Sequence, residues 1–155
     1  MRALLMFVAV IGCFTSALAD VDDPHATANR IVDLLCAGDT PTVAGLLHYP
    51  PGYTKEERAA DEAGVKKQLD VLLQRFGKIS RVVPPPSSVP ATVDLSVSGG
   101  TIAYYQSLGR MSGVSGPYAV ISEHLDAAVI RVDFLKMGES LVVFRVTFGI
   151  PASRP

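Results

Sequence analysis

The sequence predicts an α+β fold in which N-terminal helices pack on one face of a curved antiparallel sheet. Three observations lead there. Apolar residues recur at helical spacing from Ala28 to Phe76, between recognisable start and stop residues. From Ile79 onward the helical period is lost and short β-branched runs take over. The stretch from Ala127 to Gly149 then gives the strongest hairpin signal in the chain, two β-branched and aromatic runs about a Gly-containing turn.

Met1-Arg2 is a short basic opening, followed by the apolar run Ala3 to Phe14 and then Thr15-Ser16-Ala17-Leu18-Ala19. A charged start, an apolar stretch too short to span a bilayer and an A-x-A site together read as an export signal over 1–19, cleaved before Asp20. The expected location is periplasmic or secreted. A competing reading takes Val10-Ile11-Gly12-Cys13 as a lipoprotein box with Cys13 lipidated, but the apolar run before Cys13 is short and the A-x-A site would go unexplained. Residues 20–155 then form a single domain.

Removing Arg2 with the signal lowers Lys plus Arg from 14 to 13 against 15 Asp plus Glu, a net charge of −2. A balance so near neutral, with no basic cluster, argues against a nucleic-acid partner. Of the two cysteines only Cys36 remains, so the mature chain has no intrachain disulfide.

Asp23 is the expected N-cap of a first helix, with Pro24 at its first position, an apolar stripe of Ala28, Ile31, Val32 and Leu35, and Gly38 at its end. Thr40-Pro41 starts a short second helix through Leu46 and Leu47, and His48-Tyr49-Pro50-Pro51-Gly52-Tyr53 is a loop. A third helix opens on the capping box Thr54-Lys55-Glu56-Glu57 and carries Val65, Leu69, Leu72, Leu73 and Phe76 on one face before Gly77. Its first half offers only alanines, so it should pack lightly, and Gly64 weakens the junction. Glu56, Glu57, Arg58, Asp61 and Glu62 read as its wet side.

Ile79 to Val83 reads as a strand stopped by Pro84-Pro85-Pro86, a stiff exposed connection. In the next strand Val93, Leu95 and Val97 alternate with polar residues. Gly99-Gly100 is expected to turn it into a hairpin that pairs Val97 with Ile102 and Leu95 with Tyr104. Gly109 to Pro117 reads as a Gly- and Ser-rich loop, and Tyr118 to Leu125 as a strand.

In the final hairpin a loop of Gly138-Glu139-Ser140 pairs Phe134 with Phe144, Val132 with Val146 and Ile130 with Phe148, and sets Asp133 opposite Arg145 as a solvated pair. Val129, Leu135, Leu141 and Val143 then share the other face with Arg131, Asp133, Arg145 and Thr147. A face meant only for water would not need four aliphatics, so a cover is expected, most simply a second copy forming a homodimer through the sheet.

The order helix, short helix, long helix, strands resembles the nuclear-transport-factor-2-like superfamily, a cystatin-like α+β cone, and in particular its uncharacterised secreted bacterial members. The likeness rests on Leu34-Leu35-Cys36-Ala37-Gly38-Asp39, Val43, Leu46-Leu47, the helix end Leu72-Leu73-Gln74-Arg75-Phe76-Gly77-Lys78-Ile79 and the closing hairpin. It covers nearly the whole mature chain, and its motifs are structural. It implies a cone-like sheet, and it implies that polar groups inside the cone carry the chemistry of the members that are enzymes. The resemblance also implies that, where such members dimerise, they commonly do so through their sheets.

A cone-type isomerase or hydrolase needs a carboxylate or histidine base and a donor for developing charge. His124, Tyr104, Tyr105 and Asp126 are the residue types available near strands. The ordinary reading is that the tyrosines bury their rings and hydrogen-bond their hydroxyls. His25, His48 and His124 are too scattered for a metal site, and no nucleophile elbow, phosphate loop or dinucleotide fingerprint occurs. No cofactor and no transmembrane span are expected. The favoured function is a non-catalytic exported domain that binds a small apolar ligand or a protein partner, and the alternative is a small cone-type enzyme. The interior should decide between them.

Overall fold

A computed structural model describes residues 23–81, 92–108, 111–124 and 128–151. Residues 1–19, read from the sequence as an export signal, with Cys13 among them, and also the proline run and Asp126 lie outside the described residues.

Helices α1 (Pro24–Ala37), α2 (Thr40–Leu46) and α3 (Lys55–Phe76) precede the sheet. Their ends form as the local chemistry requires. The Asp23 carboxylate accepts from the N–H groups of His25 and Ala26, at 2.8 and 3.2 Å. Gly38 takes a left-handed φ of 76°, which lets its N–H reach back to the last carbonyls of α1. Thr54 and Glu57 form the reciprocal capping box. Asp39, one residue before the expected start, caps α2 through the N–H and hydroxyl of Thr42.

The sheet is antiparallel throughout, in the order β1-β3-β4-β5-β2. Its strands are β1 (Ile79–Arg81), β2 (Thr92–Ser98), β3 (Met111–Ser122), β4 (Ala128–Met137) and β5 (Ser140–Pro151), and a short helix α4 (Ile102–Ser107) follows β2. The fold is therefore α+β, with α1, α2 and α3 packed on the sheet. Ile31, Val32 and Leu35 of α1, Val43 and Ala44 of α2, and Val65, Leu69 and Phe76 of α3 meet Val97, Ile130, Val132, Phe134, Val143, Val146 and Phe148 in one core. The Phe76 and Phe148 rings stand 5.4 Å apart at its centre. The first half of α3 is mostly exposed, as its alanines imply, yet the helix runs unbroken through Gly64.

Three expectations about the strands are corrected. First, Gly99-Gly100 does not close a hairpin. β2 pairs with β5, from Thr92 opposite Pro151 to Ser98 opposite Arg145, and Ile102 to Tyr105 are helical. Thr101 starts that helix by accepting the Tyr104 N–H on its hydroxyl and the Tyr105 N–H on its carbonyl. Local turn chemistry lost here to the longer ladder on β5.

Second, β3 begins at Met111, inside the stretch read as a loop. Its register on β4 shifts between Met111 and Val114 and again between Ser115 and Tyr118. Gly113 falls in the first irregularity and Gly116-Pro117 in the second, which is how a strand accommodates glycine and a residue without a donor.

Third, the final hairpin keeps the expected register over only part of its length. The pairs Asp133–Arg145, Val132–Val146 and Ile130–Phe148 form as expected. Beyond them the register shifts, Phe134 faces Val143, and the turn is two residues, Gly138-Glu139, with Gly138 at a φ of 64°. Phe144 is the extra residue of a bulge, and it lies on the face opposite Phe134.

That bulge rearranges the outer face. Leu141 and Val143 pack with the main core, while Leu135, Val142 and Phe144 form a second cluster beneath Tyr105 of α4, with Tyr104 and Met137 at its margin. Most of the aliphatic face expected to await a second copy is taken up within the chain. Asp133 is not solvated either. It is 2% exposed, and its carboxylate takes the Arg145 Nε–H at the point where the register changes.

Candidate functional site

The loop His48–Tyr53 binds the second cluster to the helices. His48 is buried, its N–H donates to the Val143 carbonyl at 2.6 Å, and its own carbonyl accepts the Tyr105 hydroxyl at 2.5 Å. The Tyr105 ring lies 5.0 Å from Phe144 and 6.1 Å from His48. Tyr49, also buried, donates its hydroxyl to the Ala44 carbonyl at 2.9 Å and receives Arg58 over its ring. Gly99 passes so close that a Cβ there would stand 2.2 Å from the His48 carbonyl oxygen. Only glycine fits at that crossing.

Burial sets the ionisation of this junction. It pushes the Tyr105 phenol well above its ordinary range, with Tyr104 adding to the effect. Burial does the same to Tyr49, reinforced by Glu62. It holds His48 below its ordinary value, and the nearby Arg58 charge pushes the same way. His48 Nδ1 has no hydrogen-bond partner among the described residues. A neutral imidazole and two neutral phenols therefore fill the junction.

Beside it, an open trough runs between α3 and β2, the edge strand. One end, about 280 Å³, is lined by Tyr53, Asp61, Gln68, Ser98 and Thr101 over the floor of Gly99-Gly100. The other end, about 360 Å³, is walled by Lys67, Val71, Leu72 and Leu95. Gln68 and Ser96 belong to both walls, so the two hollows form one trough with a polar and an apolar end. Val71 is 57% exposed there, the largest exposure among the big apolar side chains described.

Of the residues singled out in the sequence, the three described ones do not converge. Tyr104 and Tyr105 sit on α4, the first half-buried and the second buried, and both belong to the second cluster. His124 is exposed, and its N–H is bound to the Phe76 carbonyl at the C-terminal end of α3. It follows the end of β3 that pairs with Ala128, whereas Tyr105 packs on Leu135, seven residues further along β4, so the two stand roughly 23 Å apart along the sheet. His48 and Tyr53, which no sequence motif marked, lie nearer to a usable surface. Their signal was position, in the loop that must pass between α2 and the sheet.

Among the described residues no group of three His, Cys, Asp or Glu side chains could hold a metal ion. Cys36 is half-buried and free, and burial raises its thiol, which weakens it as a nucleophile. No described helix is long and apolar enough to cross a membrane. Compared with protein-family models, with curated proteins and with solved structures, the chain finds no match.

Proposed function

We propose that the protein is an exported, non-catalytic binding domain that takes a small apolar ligand or a segment of a protein partner in the trough between α3 and β2. The observation that carries this reading is the trough itself, whose apolar end leaves Val71 and Leu95 without full cover. The apolar core supports it as well, since Leu69, Phe76, Ile130, Val132 and Phe148 are buried together between the helices and the sheet. Tyr49 and Tyr105 also spend their hydroxyls on backbone carbonyls. Export to the periplasm or the exterior rests on the signal-like run over 1–19. An anilinonaphthalene fluorophore should bind the folded protein with enhanced emission, and Val71→Lys should abolish most of that enhancement without changing the unfolding midpoint. Emission unchanged by Val71→Lys would remove the trough as the binding surface.

A further inference from the structure

The two edges of the sheet are managed differently. β1 is three residues long, and its Arg81 is tied to Asn29 and Asp33 of α1. β2, at the other edge, has seven residues with neither lysine nor proline among them, the devices that ordinarily keep an edge from pairing. Its single charge, Asp94, is engaged by Arg131 of its own sheet. Asp94 and Ser96 are exposed, and no described strand pairs with the outer side of β2. The apolar end of the trough runs alongside, as an unfilled hollow flanking an open ladder.

We infer that the partner seated in the trough is a second copy of this chain, whose β2 pairs antiparallel with β2 about a twofold axis through Leu95 to make one continuous sheet. The inference rests on the binding reading of the trough given above. A twofold axis normal to the sheet keeps core face with core face, so it must pass through a residue and not between two. An axis through Asp94 would set that carboxylate against its own copy. Leu95 is the middle of the strand and gives full overlap. It places Asp94 opposite Ser96 of the partner subunit, Leu95 opposite Leu95 of the partner subunit, and Val97 opposite Val93 of the partner subunit. No like charges meet in that register. Val71 and Leu72 on α3 then flank the joint from both copies, and each trough is closed by the other chain, in the manner of strand addition at an open edge.

Ser96 decides the test, because in this register it faces the Asp94 carboxylate of the partner subunit twice per dimer. Sedimentation equilibrium over a concentration series should show a monomer–dimer equilibrium for the wild type. Ser96→Asp should weaken the dimer about tenfold and Ser96→Lys should tighten it several-fold, by like and unlike charges at the same two places. Each variant also loses the Ser96–Thr147 hydroxyl contact, so that loss cannot produce opposite shifts. A wild type monomeric throughout the series overturns the inference, and so does a dimer that both substitutions shift in the same direction. Fluorophore binding keeps the two readings apart. A monomer that binds the fluorophore through Val71 leaves the trough reading standing without the dimer, binding that falls as the dimer forms supports both, and emission unchanged by Val71→Lys at monomeric concentrations removes both.

Discussion

The two faces of the final hairpin bury similar side chains by different means. On the helix side, Ile130, Val132, Val146 and Phe148 follow strict alternation and meet three helices whose apolar stripes were shaped for them. On the other side, Val142 and Phe144 join Leu135 only because a bulge interrupts the alternation of β5, and among the described residues their cover is the short helix α4, through Tyr105. A face built by period is protected many times over. A face built by an irregularity depends on the few contacts that close it.

The largest expected effect is on the first face. Phe148→Ala removes a fully buried ring packed on Phe76 and should cost about 3–5 kcal/mol in denaturant unfolding. Phe144→Ala lies at the lower end of that range, about 3 kcal/mol, because α4 can settle into the space. It should also free α4 selectively, with hydrogen exchange accelerated over residues 102–108 and unchanged in α1. Equal acceleration in both helices would show that the two clusters are one core.

Asp133→Ala comes next, at about 2 kcal/mol, since Arg145 is left partly desolvated without its carboxylate but retains some access to water. The pair was expected to be solvated and worth under about 1 kcal/mol. A double-mutant cycle with Arg145→Ala returning so small a coupling would restore that view and deny that the bulge buries the pair.

The smallest effect concerns His48. Its folded pKa lies below the ordinary value of 6.5. The unfolded chain therefore binds the proton first as pH falls, so stability is intact above that value and declines below it until the folded imidazole also titrates. The unfolding midpoint should drop between about pH 7.5 and pH 5.5, a range above the ordinary titration of carboxylates, and His48→Gln should flatten that slope. An unchanged slope in the variant would mean that His48 is solvated in the folded state.

The ends of α1, α2 and α3 were legible in the sequence to within a residue, because each is decided by side chains within four positions. Asp23 with Pro24, Gly38, and Thr54 with Glu57 all act where their types predict. The errors concern the pairing of distant segments. The pattern of Val93 to Val97 says which residues share a face and nothing about which strand lies beside them, so the nearby glycine pair predicts a turn where β5 supplies the ladder. The trough and the His48 junction were invisible for the same reason, since their walls come from a loop, α3, β2 and α4, joined only in space.

By itself the sequence determined α1, α2 and α3, the apolar faces they present and half of the hairpin register, because these depend on short-range chemistry and on periods of 3.6 and 2 residues. Tertiary structure alone decided that Phe144 would lie on the face away from Phe134, that Tyr105 would close the outer cluster and that β2 would stand at the edge of the described sheet. Register beyond a bulge is fixed by whichever arrangement buries the most apolar surface with its carbonyls satisfied, and that comparison needs the whole chain in place.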